Sequence, residues 1–102
     1  MNNPVIGLKH LKRVKGIHVL SRRYNGPVSK THIAKLLELV DKHAKEIREL
    51  YEKGDQHFLT ETGDLAVLCL ELLLENGADT DTVLRKCFKR YEDKLTRLLE
   101  KK

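Results

Sequence analysis

Tryptophan is absent from the chain, methionine occurs once and aromatic residues make up 5% of it, so a core built on large rings is excluded. Nowhere does an apolar run approach the roughly 18 residues a spanning helix needs. The amino terminus, Met1-Asn2-Asn3-Pro4, is followed by basic residues without the apolar core of an export signal. The two cysteines, Cys69 and Cys87, lack the close spacing of a zinc or redox motif. They read as small hydrophobes of a reducing compartment, and the expectation is a soluble, cytoplasmic protein with no membrane partner. Acidic residues are missing from residues 1–30, which hold Lys9, Lys12, Arg13, Lys15, Arg22, Arg23 and Lys30, whereas the remaining 72 residues balance 13 basic against 15 acidic. A basic segment on a slightly acidic body suits a polyphosphate or nucleic-acid ligand, and equally a solvated arm.

What remains is helical grammar. The 102 residues suffice for one modest core. Residues 1–28, with Pro4, Gly7, Gly16, Gly26 and Pro27, show no clean apolar period and are expected to form a basic, irregular N-terminal arm with at most a short helix or hairpin. Residues 29–102 are expected to form the folded domain. Ser29 or Thr31 can cap a helix with Ile33, Leu36, Leu37, Val40, Ala44, Ile47 and Leu50 at helical spacing, ending near Gly54. Asp55 can cap a second, whose residues 65–74 are apolar nearly all round and should be buried on most sides. Asn76-Gly77 suits a left-handed terminus. Asp79 or Thr80 then opens a third helix with Leu84, Cys87, Phe88, Tyr91, Leu95, Leu98 and Leu99 on one face. The fold class expected is all-α, three main helices per chain in a bundle completed by oligomerisation, because two neighbours cannot cover the middle helix. The alternative cover is the N-terminal segment itself.

Two acidic pairs stand out, Glu46-Ile47-Arg48-Glu49 and Glu61-Thr62-Gly63-Asp64. Carboxylates three apart on a helix share one side, about 5–6 Å apart at Cβ. A turn at Gly54 would set the two pairs face to face, where a hard cation resolves their repulsion. In a chain one-third charged, such pairs also occur on solvated faces. The histidines at 10, 18, 32, 43 and 57 form no HxxxH pattern, so a zinc motif is not expected.

With those residues in hand, the stretch from Lys45 to about Lys94 resembles the core of MazG-like nucleoside triphosphate pyrophosphohydrolases. The likeness rests on the ExxE pair, the turn Lys53-Gly54-Asp55, the ExxD pair before a hydrophobic run, the break at Gly77 and a final basic amphipathic helix. It implies an all-α homodimer or homotetramer that hydrolyses a nucleoside triphosphate to monophosphate and pyrophosphate. By the same resemblance Glu46, Glu49, Glu61 and Asp64 are the ligands of magnesium, for which manganese can substitute. Glu49 orients or deprotonates the attacking water, and Arg90 and Lys94 contact substrate phosphate. Lys45, Arg48 and Thr60 depart from the family's usual acidic or small residues. The competing reading is a non-catalytic helical dimer that binds nucleic acid through the basic arm.

Overall fold

A computed structural model describes residues 7–25 and 29–102. Four helices account for most of them: α1 (Leu8–Asn25), α2 (Ser29–Glu52), α3 (Phe58–Glu75) and α4 (Thr80–Glu100). No strand occurs among the described residues, and none of their helices is long and apolar enough to cross a membrane.

The turns after α2 and α3 end those helices in the same way. After α2, the amide of Gly54 donates to Tyr51 O and that of Asp55 to Leu50 O. After α3, Gly77 donates to Leu74 O and Ala78 to Leu73 O. Each pair is a Schellman arrangement, and each needs a residue in the left-handed region that glycine adopts without a Cβ penalty. Gly54 and Gly77 supply it with φ of 72° and 70°. Asp55 accepts the His57 amide through Oδ1 at 2.9 Å, and Tyr51 meets Phe58 edge to face at 5.4 Å across the turn. α3 therefore folds back along α2, the closest packing in the molecule.

The N-terminal segment departs from the sequence expectation: instead of an irregular arm, Leu8–Asn25 is an 18-residue helix packed on α3 and α2, giving four helices rather than three. Its inward row is Leu11, Val14, His18, Ser21, Arg22 and Asn25, all buried or half-buried. The spacing is helical, but four of the six residues are polar, so a search for apolar periodicity passes over it. Lys9, Lys12, Arg13, Lys15 and Arg23 are exposed.

The expectation for α3 also changes. Its most enclosed side chains form the row Glu61, Leu68, Glu71 and Glu75, in which only Leu68 is apolar, while Asp64 on the same side is exposed. Leu65, Val67, Leu70, Leu72, Leu73 and Leu74 flank the row and are only half-buried, while Cys69 is exposed. Among the described residues the buried apolar set is Val14, Leu36 and Leu68. From Phe88 onward every residue of α4 is exposed, and Phe88, Tyr91, Leu95, Leu98 and Leu99 keep about half or more of their area in solvent. The radius of gyration, 16.1 Å, exceeds the roughly 13 Å of a compact chain this long, as a projecting helix requires.

Candidate functional site

The turn at Gly54 sets the carboxy-terminal end of α2 against the amino-terminal end of α3. Electrostatics differ on the two sides. Glu61 sits in the first turn of α3, at the positive pole where a carboxylate is favoured, and Asp64 follows it in the next turn. Glu46 and Glu49 approach the negative pole of α2, whose last turn carries no basic residue, so their side of the cleft calls for a cation.

Between them lies an open cleft of about 290 Å³ lined by Glu46, Glu49, Leu50, Lys53, His57 and Glu61. Three of the four predicted ligands thus share one cavity. Asp64 stands beside it, linked through His43, whose Nε2 lies 3.3 Å from Glu61 Oε2 and 3.9 Å from Asp64 Oδ2. Donor atoms of His43, Glu46 and Glu61 all fall within 4.8 Å of one another. His57 Nε2 approaches the other Glu61 oxygen at 3.3 Å. The Glu61 side chain is 13% exposed.

His43 shows what the site demands. Its Nδ1 lies 2.9 Å from the carbonyl oxygen of Leu39. A carbonyl only accepts, so Nδ1 carries the proton. Nε2 is then the atom set against two carboxylates, and a neutral imidazole would present them a lone pair. A proton or a metal cation at Nε2 removes that conflict. Glu61 Oε2 is buried and makes no hydrogen bond among the described residues, the kind of orphaned oxygen a bound cation satisfies.

A second cavity is lined by Ile17, Val67 and Leu68 together with His43, Asp64 and Glu71. Glu71 is 3% exposed, and its Oε1 has no hydrogen-bond partner among the described residues.

No family model matches the chain, and no curated protein or solved structure is significantly similar to it.

Arg90 and Lys94 are not brought to the acidic cleft. They line a separate depression with Tyr91 on the exposed half of α4, where the Arg90 guanidinium lies over the Tyr91 ring, 5.2 Å from its centroid. Within one chain, the cation at the cleft is Lys53. Sequence reasoning missed His43, His57, Lys53 and Glu71. The row His43, Glu46, Glu49, with every third position able to hold a cation, was the available signal for the first.

Proposed function

We propose that the chain is a magnesium-dependent nucleoside triphosphate pyrophosphohydrolase of the MazG-like kind. The observation that carries the reading is the convergence of Glu46, Glu49 and Glu61 on one cleft, with Asp64 joined to it through His43. The residues fit the metal: carboxylate oxygens predominate, and Glu61 Oε2 is buried with only the His43 imidazole beside it among the described residues. Glu46, Glu61 and Asp64 would hold it, with Glu49 completing the acidic set. When bound, magnesium supplies charge neutralisation on the polyphosphate and a more acidic bound water.

The chain's own residues do the rest. Glu49, exposed on the cleft wall, accepts the proton of the water that attacks the α-phosphorus, and pyrophosphate departs. Lys53 offers an ammonium to the phosphates from the cleft rim. His43 holds Glu61 and Asp64 in register through Nε2, its ring anchored to Leu39 O.

The reading includes a homodimer or homotetramer. The three buried apolar residues among those described are too small a core to offset the ordering of so many. The half-buried leucines of α3 and the open stripe of α4 are the surfaces a second copy would cover, and that copy's α4 would deliver Arg90 and Lys94 to a cleft that lacks them.

Pyrophosphate release from a panel of standard and modified nucleoside triphosphates, with magnesium and with EDTA, tests the activity. Magnesium-dependent release that Glu61→Gln abolishes is the expected result. Release that persists in EDTA, or none from any triphosphate, would overturn the proposal. Light scattering at micromolar concentration should report a multiple of 11.8 kDa, and a stable monomer would remove the composite site. Tight binding of an oligonucleotide without turnover would favour a nucleic-acid-binding role instead.

A further inference from the structure

At the other end of α3, three side chains from three helices converge: His18 from α1, His32 from α2 and Glu75 from α3. We propose that they form a binding site for a transition-metal dication of the zinc class, distinct from the acidic cleft and independent of the reading given to it.

Geometry comes first. His18 Nε2 lies 2.6 Å from Glu75 Oε2, His32 Nε2 lies 3.9 Å from the same oxygen, and all three donor atoms fall within 4.8 Å of one another. Ligands about 2.0–2.1 Å from a tetrahedral metal are spaced by roughly 3.3 Å, and the two measured separations straddle that value. Small side-chain rotations bring all three into range.

Burial comes second. The side chains of His32 and Glu75 are 0% and 1% exposed. His32 Nε2 makes no hydrogen bond among the described residues and is aimed at the cluster. An imidazole nitrogen withdrawn from water without a partner is costly, and a metal ion at that point satisfies it. Its other nitrogen, Nδ1, is 3.3 Å from the Asn25 carboxamide, which in turn lies 3.4 Å from Ser21 Oγ. Turned over, that carboxamide accepts from Nδ1–H and leaves the Nε2 lone pair to the metal, the support a ligating histidine ordinarily has.

Charge comes third. Glu75 lies in the last turn of α3, where the helix dipole disfavours a carboxylate and no basic residue of α3 offsets it. Arg22 Nε, 3.5 Å from Glu75 Oε2, compensates in the metal-free chain. Its side chain is 41% exposed, so it can withdraw as a dication enters. Two imidazoles and one carboxylate select zinc, cobalt or nickel over magnesium. The exposed edge of His18, 16% of its side chain, leaves room for a fourth ligand from solvent, the arrangement of an open rather than a sealed site.

Cobalt titration of the full-length, tag-free chain, followed by visible absorption, tests the proposal. One Co2+ per chain with the intense bands of four-coordinate nitrogen and oxygen ligation is expected, displaced by Zn2+ and not by millimolar Mg2+. His18→Asn should weaken binding at least about tenfold, and Glu46→Gln should leave it unchanged. Should the more deeply buried His32→Asn fail to fold, proton NMR of the parent decides, since Co2+ must shift His18 and His32 while His10 and His57 stay in place. Absence of binding, binding that survives His18→Asn or disappears in Glu46→Gln, or a thiolate charge-transfer band would overturn it.

Discussion

At its amino-terminal end α3 offers Glu61 to a cleft open to solvent, with Asp64 beside it, near the helix pole that favours negative charge. At its carboxy-terminal end the same helix buries Glu75 against the unfavourable pole and surrounds it with His18, His32 and Arg22. Residue types are shared, acid against histidine, yet the settings are opposite. At the first end the dipole favours Glu61, which His43 and His57 flank at the wall of an open cleft, so the carboxylates there can serve a ligand. At the second, neighbouring side chains must carry the charge, so the cluster also holds α1, α2 and α3 together. A carboxylate on a buried helix face thus takes its role from its distance to each helix end and from what the adjoining helices present.

The largest effect expected is on turnover. Glu61→Gln removes the carboxylate shared by His43, His57 and the cleft, and should lower pyrophosphate release at least about a hundredfold while moving the metal-free melting temperature little. A fall in stability as large as the fall in rate would place the open end among the structural contacts. Next is Glu75→Gln, which should cost about 2 kcal/mol in metal-free urea unfolding, because the hydrogen bond between His18 and a buried carboxylate is replaced by one to a neutral amide. No change there would dissolve the contrast between the ends. Third, magnesium at ten times its dissociation constant should stabilise the parent by about 1.4 kcal/mol. Thermal melts should show that gain lost in Glu61→Gln and kept in Glu75→Gln.

The smallest effects have opposite signs at the two ends. Gly63 lies within α3 with open space where a Cβ would go, so Gly63→Ala should stabilise by about 0.5–1 kcal/mol. Gly77 also faces open space but holds φ at 70°, so Gly77→Ala should destabilise by about 1 kcal/mol from backbone strain alone. Equal responses in denaturant melts would contradict the turn geometry.

The sequence carried some of this and withheld the rest for identifiable reasons. The glycine turns, the extents of α2 and α4 and the i, i+3 acidic pairs depend on neighbours in the chain, and local reasoning found them. α1 was not found, because its inward row follows Leu11 and Val14 with His18, Ser21, Arg22 and Asn25, and those polar residues become interior only where Glu75 meets His18 and Arg22 and where His32 meets Asn25. The same dependence hid His43 and His32, each scattered in sequence and placed by α3. Residues 65–74 were read correctly as helix. The inward row differs from the expectation, since most apolar residues of α3 are only half-buried while the side chains of Glu71 and Glu75 are enclosed.

The short turn at Gly54 has a consequence for the time course of folding. With Lys53–His57 as the only connection, α2 and α3 meet after closing a loop of a few residues, at little entropic cost. α1 must reach α3 across all of α2. A folding order follows in which the α2–α3 hairpin is substantially formed in the transition state and α1 docks late. Leu36→Ala, at a fully buried position of α2, should then mainly slow folding, and Val14→Ala in α1 should mainly speed unfolding. Stopped-flow chevrons for the two variants, compared with the parent, reveal the order directly, and a reversed assignment of the two arms would mean that α1 joins first.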